Sequence, residues 1–188
     1  MSLTLVKAGH VLPVNMEALR DSMADYAKDI RLNLSSVMTP EGAPDLSQAQ
    51  IDAIALASAY ATKHHDVVSA VYGEVAPRMD ASMQQAAKAA ATVMAMNNIY
   101  YRYVHLSNDE EIKKMPAKLR MSVIGSPGVA KIDFEMMCLA VSAINGCGMC
   151  IEAHNHELIK AGASKLALQS CARIAAVINA AAQAQTIG

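Results

Sequence analysis

Aromatic and turn-forming residues are scarce in this sequence of 188 residues. It has no tryptophan and one phenylalanine, so small and aliphatic side chains must fill most of the interior. Its nine glycines and six prolines are few for a chain with the many turns of an all-β fold. Hydrophobic residues still make up 53% of the chain, which is ample for a core. Because small side chains let helices approach closely, the composition predicts an all-α protein.

An excess of one charge and long apolar runs are also missing. Sixteen Lys and Arg residues against 17 Asp and Glu residues give a net charge of -1, which argues against electrostatic binding to nucleic acid or an anionic membrane. No apolar run reaches the roughly 18 residues of a membrane-spanning helix. The start of the chain lacks the features of a secretory signal, so a cytoplasmic protein is expected. Neither Gly-x-Gly-x-x-Gly nor a phosphate loop occurs, and no flavin or nicotinamide cofactor is expected.

Apolar residues recur at spacings of three and four along most of the chain, which is the periodicity of helices. The pattern predicts an irregular arm over residues 1–14 and a single domain over residues 15–188, a compact bundle of about seven helices. The Pro- and Gly-containing segment 105–131 is predicted as a linker, in which a short helix fits residues 117–123. The seven helices are predicted over residues 15 to about 35, 47 to about 65, 66–75, 80 to about 103, 132–144, 147–161 and 164 to about 185.

An internal similarity links two of the predicted helices. Residues 56–60 (LASAY) resemble residues 140–144 (AVSAI), 84 positions later, and each run ends one helix and precedes another. At the same offset, Lys63 and Asp66 correspond to Cys147 and Cys150. Two related helical halves, of which only the second has the thiols, would explain this match. Chance would explain it equally, because alanine-rich helices resemble one another easily.

The four cysteines fall into two groups. Cys138 and Cys171 lie among apolar helix positions, which is typical of small buried side chains. Cys147 and Cys150 form a Cys-x-x-Cys motif at the predicted start of a helix, where a reversible disulfide can close and backbone N–H groups stabilise a thiolate. At about 100° per residue, His154 lies within about 40° of both cysteines on that helix. A histidine there can take a proton from a thiol.

Spacing alone leaves three interpretations of this motif open. The first is an activated redox dithiol. The second is a zinc site, because cysteine and histidine are the ligands that zinc selects. However, His156 points about 200° away from His154, and no second Cys-x-x-Cys pair occurs. In the third interpretation the two cysteines are buried helix residues without a chemical role.

Glu135 is a carboxylate in an otherwise apolar run. It could lie in the first turn of its helix and face water. Alternatively, it could be partly buried and face the cysteine helix, because a short Asn-Gly turn would fold the two helices together. A buried carboxylate can exchange protons near neutral pH. Periodicity does not choose between these two placements.

Four stretches of the sequence match a known family closely. They are residues 25–36 (DYAKDIRLNLSS), 96–102 (MNNIYYR), 119–121 (LRM) and 134–154, which includes AVSAINGC and the Cys-x-x-Cys motif. On these motifs the chain resembles the alkylhydroperoxidase D (AhpD) family, over nearly all of its length beyond about residue 16.

The resemblance implies an AhpD-like helical fold, shared with carboxymuconolactone decarboxylase-like proteins and usually assembled as a homotrimer. It implies a dithiol-dependent peroxidase for organic hydroperoxides that also reduces a peroxiredoxin, the AhpC component of alkyl hydroperoxide reductase. Electrons would come from the lipoyl (dihydrolipoamide) group of a lipoylated dehydrogenase-complex subunit. The resemblance implies neither a bound cofactor nor a metal.

Carried over residue by residue, the resemblance implies that Cys150 becomes a sulfenic acid. Cys147 then donates a proton and resolves this intermediate as a Cys147–Cys150 disulfide. Glu135 and His154 match the proton relay that activates Cys150, which places the redox site within residues 132–162. The helix terminus alone would instead favour Cys147 as the more acidic thiol.

One position departs from the family pattern. Met149 stands where family members commonly have a histidine, and a methionine cannot move protons. Weaker peroxidase activity with retained disulfide exchange would follow. Two other functions are weighed against the peroxidase: a redox-inactive or zinc-binding helical module, and a decarboxylase-like enzyme acting on a lactone. The Cys-x-x-Cys pair argues against the lactone enzyme, because such chemistry needs no dithiol.

Overall fold

The computed structural model describes residues 13–188, and in that range it contains ten α-helices and no strand. The predicted all-α class is therefore confirmed, and most of the predicted irregular arm lies outside the described residues. No helix in this range is both long enough and apolar enough to cross a membrane. The helices are α1 (Met16–Asp21), α2 (Lys28–Val37), α3 (Gln48–Thr62), α4 (His65–Val75), α5 (Ala81–Leu106), α6 (Glu110–Lys114), α7 (Ser122–Gly125), α8 (Lys131–Asn145), α9 (Gly148–Lys160) and α10 (Lys165–Ile187).

The predicted first helix is interrupted, so its prediction as one continuous element was wrong. The Ser22 hydroxyl donates to the carbonyl of Leu19, and Ala24 is extended, before a 3-10 turn at Asp25–Ala27 leads into α2. Serine side chains compete in this way for helical backbone groups.

The segment between α5 and α8 also differs from its prediction. Its two short helices, α6 and α7, flank residues 117–121, which are not helical although a helix was expected over 117–123. Pro116 precedes this stretch and Lys118 has a positive φ of 51°, neither of which suits a helix interior. These two helices and the divided first helix account for ten helices where about seven were expected.

Two helices form the centre of the bundle. α3 packs against α8, α5 and α10, while α8 packs against α5, α9 and α10. Nine consecutive residues of each central helix are buried, Ile51 to Ala59 in α3 and Phe134 to Ser142 in α8. Helices that are apolar on all sides belong in a core, which explains why α3 and α8 show little amphipathic pattern. The functional residues of α8 are therefore held by packing on every side.

α3 and α8 each begin a helical hairpin of the same form. Each has 15 residues and ends at a residue with positive φ, Lys63 at 60° and Gly146 at 68°. An extended N-cap residue follows, His64 before α4 and Cys147 before α9. The two helices and their buried stretches are related by 83 positions, not by the 84 of the sequence match. This register makes His64, rather than Lys63, the counterpart of Cys147.

The same register makes Asp52 of α3 the counterpart of Glu135 in α8. Asp52 is only 2% exposed, and its carboxylate accepts two hydrogen bonds from Arg78, at 2.5 Å from Nε and 2.9 Å from Nη2. The Gln48 amide donates a third at 2.9 Å. The pairing with Asp52 raises the pKa of Arg78, so the guanidinium stays charged. This network ties α3 to the end of α4.

Removing the charge partner of Asp52 should destabilise the fold. Arg78→Met keeps most of the aliphatic stem but leaves a buried carboxylate with only the Gln48 donor. We expect a loss of about 2 kcal/mol in the free energy of unfolding, below the usual cost of breaking a buried pair because the Arg78 side chain is 41% exposed. Urea denaturation followed by circular dichroism measures this loss.

The control is Lys113→Met, which removes the surface pair with Glu110 and should change stability by less than about 0.5 kcal/mol. Equal stabilities of the two variants would contradict a structural role for the Asp52–Arg78 pair.

Candidate active site

The turn between α8 and α9 places the two cysteines. Gly146 adopts a positive φ of 68°, and its N–H bonds the carbonyl of Ala143 while the N–H of Cys147 bonds that of Ser142. This is the helix stop that glycine provides most easily. Cys147 then becomes the N-cap of α9, one residue before the helix, whereas the predicted helix began at Cys147 itself. α9 therefore folds back along α8.

Cys147 and Cys150 are joined by a disulfide at the start of α9. The backbone N–H of Cys150 donates to the sulfur of Cys147 at 3.4 Å, so this sulfur fills the position of a capping oxygen. Cys147 is fully buried and Cys150 is 7% exposed. Both cysteines are thus shielded from solvent, and Cys150 is the more exposed of the two.

Glu135 and His154 form a buried pair between the two helices. The Glu135 Oε2 atom lies 2.7 Å from His154 Nδ1, and the residues are 5% and 8% exposed. Of the two placements open for Glu135, the structure has the one that faces the cysteine helix. His154 lies one helical turn after Cys150, whereas His156 is exposed on the opposite side of α9. Met149, between the cysteines, is half-buried.

A polar cluster from α5, not found from the sequence, adjoins this pair. The second ring nitrogen of His154, Nε2, lies 3.3 Å from the sulfur of Met94, which is 1% exposed. The Asn98 amide donates to the Ser142 hydroxyl at 2.9 Å, and Asn145 donates to Asn98 at 3.0 Å. Two consecutive asparagines in the middle of α5 were the signal that could have pointed to this cluster.

A cavity of about 250 Å³ opens between α8 and α9 at the end away from the disulfide. Glu135 forms part of its wall, so this buried residue borders a space that solvent can enter. At its rim, Lys131 Nζ and Glu157 Oε2 are 3.2 Å apart, and the hydrogen bond and charge of Lys131 lower the pKa of Glu157. The full lining is Lys131, Ile132, Glu135, Glu157, Leu158, Lys160 and Ala161.

The other two cysteines are buried and free, as predicted from their apolar surroundings. Burial raises the pKa of Cys171 to about 12, and its thiol donates to the carbonyl of Met136 at 3.2 Å. Burial, together with the nearby charge of Glu135, raises the pKa of Cys138 as well. Neither thiol therefore becomes a nucleophile readily. Within residues 13–188, no three His, Cys, Asp or Glu side chains are grouped as a metal ion would require.

The fold and the site together define a class: all-helical proteins with a Cys-x-x-Cys disulfide at the start of a helix and a buried His–Glu pair beside it. Residues 110–187 match the carboxymuconolactone decarboxylase family. The alkyl hydroperoxide reductase AhpD of Rhodospirillum centenum is 52% identical over 169 residues, covering 90% of this chain and 89% of that protein. The AhpD proteins of Coxiella burnetii are 50% identical, covering 92% of this chain and 97% of theirs. The chain belongs to the AhpD family.

The four cysteines should differ sharply in reactivity. In the oxidised native protein we expect almost no modification by iodoacetamide at mildly alkaline pH, because two thiols are bonded to each other and two are buried. Denaturation should expose Cys138 and Cys171. Prior reduction with a dithiol should instead add modification at the Cys-x-x-Cys pair, first at Cys150, because Cys147 is fully buried. Peptide mass spectrometry assigns each site, and rapid native modification of Cys138 or Cys171 would contradict their burial.

Proposed function

We propose that the protein is a dithiol peroxidase that reduces alkyl hydroperoxides in the cytoplasm and also reduces a partner peroxiredoxin. The observation that carries this proposal is the Cys147–Cys150 disulfide, which lies one helical turn before the buried His154–Glu135 pair. A reversible disulfide stores two electrons, and a histidine–carboxylate pair can move the proton that each thiol step requires.

In the proposed cycle, the thiolate of Cys150 attacks the terminal peroxide oxygen and the O–O bond breaks. Cys150 becomes a sulfenic acid, and the alkoxide leaves as an alcohol after taking one proton. The Cys147 thiol then attacks the sulfenic sulfur, which forms the disulfide and releases water. The substrate gains two electrons in all, and the dithiol loses two.

Glu135 and His154 would supply and remove the protons. His154 is within reach of the Cys150 side of α9, because residues four apart on a helix are neighbours. Its Nδ1 is bound to Glu135, a residue that lines the cavity between α8 and α9, and its Nε2 faces the sulfur of Met94. In the proposed relay, protons move between Cys150 and solvent through these two buried groups.

The burial of the two cysteines supports Cys150 as the residue that meets peroxide. It is the more exposed of the pair, whereas Cys147 lies fully buried beneath the first turn of α9. The contact of the Cys147 sulfur with a backbone N–H suits the resolving role, because a thiolate there is stabilised until it attacks the sulfenic acid. The geometry thus reconciles the helix-terminus argument with the roles that the resemblance implies.

The proposed reductant is the dihydrolipoyl group of a lipoylated dehydrogenase-complex subunit, which would regenerate the dithiol by thiol–disulfide exchange. The proposed protein partner is AhpC, the peroxiredoxin component of alkyl hydroperoxide reductase. The names of the relatives, alkyl hydroperoxide reductase AhpD, support this pairing. Exposed apolar side chains on α5, namely Ile99, Tyr103 and Leu106, support assembly of the chain with further copies, and the resemblance implies that the assembly is a homotrimer.

Thiol counting tests the proposed reaction directly. One equivalent of cumene hydroperoxide should consume two thiols of the reduced protein, and dihydrolipoamide should restore both. Cys150→Ser should abolish this reaction. Cys147→Ser should allow a single oxidation that stops at a sulfenic acid, because no resolving thiol remains.

Trapping with a sulfenate-selective reagent and mass spectrometry identifies the oxidised residue. Labelling in Cys150→Ser but not in Cys147→Ser would reverse the two roles. No loss of thiols in the wild-type protein, with one zinc ion bound per chain, would replace the peroxidase by a metal-binding module.

Glu135 is expected to matter for turnover rather than for folding. Glu135→Gln keeps the shape of the side chain and most of its hydrogen bonding but cannot accept a proton. General acid–base groups contribute about 100- to 10,000-fold, so we expect peroxide turnover to fall well over tenfold. The control is Glu152→Gln, which alters an exposed carboxylate on α9. A change of less than about threefold in the Glu135 variant, with an unchanged circular dichroism spectrum, would remove Glu135 from the relay.

A further inference from the structure

We propose that Met94 is a positioning residue that fixes the proton on Nε2 of His154 by accepting its hydrogen bond. The Met94 sulfur lies 3.3 Å from Nε2, and it is the partner of this nitrogen in the structure. Met94 is 1% exposed and projects from α5, a different helix from those of Glu135 and His154. The histidine ring is thus held from both sides, by a carboxylate at Nδ1 and by a thioether at Nε2.

The chemistry of a thioether decides where the proton must be. Methionine sulfur has no hydrogen to donate and acts only as a weak acceptor. Nε2 must therefore be protonated for this contact to be a hydrogen bond. The remaining proton is then shared along the Nδ1–Glu135 line, either as imidazolium with carboxylate or as neutral imidazole with a protonated carboxyl. Without the sulfur, nothing on the Nε2 side would oppose the other neutral form of the ring, in which Nδ1 donates to Glu135 and Nε2 is bare.

The sulfur is itself held in place by two other donors. The Ser142 hydroxyl donates to it at 3.6 Å and the Asn98 amide lies 3.9 Å away. Asn98 is fixed in turn through Ser142 and Asn145, and Arg102 donates to the carbonyl of Asn145 at 2.6 Å. This arrangement accounts for a buried polar cluster that the peroxidase proposal does not otherwise use.

The Met94 sulfur is a weak hydrogen-bond acceptor, and this weakness suits it to hold the Nε2 proton of His154 while the disulfide is closed. A carboxylate or carbonyl at this position would bind the Nε2 proton strongly and hold it there. A thioether orients the proton yet releases it at small cost when a thiolate forms one turn away. Met94 would in this way keep a proton on Nε2 of His154 while the disulfide is closed.

Other titratable groups near His154 are the same in the wild-type protein and in a Met94 variant. α8 contributes Glu135, the thiol of Cys138 and, at the cavity that Glu135 lines, Lys131. The cation of the polar cluster on α5 is Arg102, which is bound to Asn145. The remaining groups on α9 itself are Glu152, His156, Glu157 and Lys160, which lie outside the core. A difference between the two proteins can therefore be assigned to the sulfur.

The test is Met94→Leu, with Met137→Leu as the matched control. Met137 is fully buried and lies about 200° around α8 from Glu135, so its loss imposes a similar packing change without touching the ring. The ring nitrogens of His154 are followed by NMR in oxidised, full-length protein labelled with ¹⁵N-histidine. Loss of the acceptor should shift Nε2 toward its unprotonated signal and lower the midpoint of the His154 titration by about half a pH unit or more.

The midpoint falls because the protonated ring loses a hydrogen bond that the bare nitrogen cannot make. The proposal would be overturned if Met94→Leu had the same nitrogen signals and titration midpoint as the wild type. It would also be overturned if Met137→Leu shifted them as much as Met94→Leu does. If Met94→Leu fails to fold, norleucine can replace all 13 methionines. Norleucine has a methylene in place of the sulfur and a side chain of the same length, so the same shifts of the Nε2 signal and of the His154 midpoint are expected.

The role of Met94 in turnover rests on the proposed function, but its effect on His154 does not. A shifted His154 titration in a protein that consumes no peroxide would refute the peroxidase and retain the positioning role. Intact peroxide turnover with an unshifted His154 titration in Met94→Leu would retain the peroxidase and refute the positioning role. Where both hold, the pH profile of turnover in Met94→Leu should move in the same direction as the titration.

Discussion

The contact between Glu135 and His154 is the interaction on which the rest of this site depends. Both groups are nearly excluded from water, so each needs the other as a hydrogen-bond partner. The contact exists only because α9 folds back along α8 after the turn at Gly146. The same turn makes Cys147 the cap of α9 and places Cys150 one turn before His154. One helical hairpin therefore brings a disulfide and a buried histidine–carboxylate pair together.

The two hairpins use one architecture for two kinds of carboxylate pair. In the first, Asp52 is bound to the guanidinium of Arg78, which keeps its proton at all relevant pH values. In the second, the equivalent Glu135 is bound to an imidazole, which can give its proton away. The N-cap positions differ likewise, with His64 in one and Cys147 in the other. The first hairpin is thus built to be stable, and the second has the same shape with exchangeable groups.

Periodicity predicted most of the helices because it is a local signal. The helices predicted to begin at residues 47 and 164 begin next to them, where Ser47 and Ser164 are the N-caps, and α8 ends before Gly146. The break at Ser22 was missed because it depends on one side chain competing for a backbone carbonyl. Met94 was missed for a different reason. Its sulfur becomes a partner of His154 only through the packing of α5 against α9, a contact 60 residues apart in sequence.

The cysteines of this core differ in the backbone groups that contact their sulfurs. Cys171 lies inside a helix and donates to a carbonyl oxygen, a contact that favours the protonated thiol. Cys147 lies at a helix start, where its sulfur accepts from an N–H instead, a contact that favours a thiolate. Both residues are fully buried, so exposure does not distinguish them. The two sulfurs differ in their polar contacts, and the accepting contact of Cys147 exists because α9 begins at that residue.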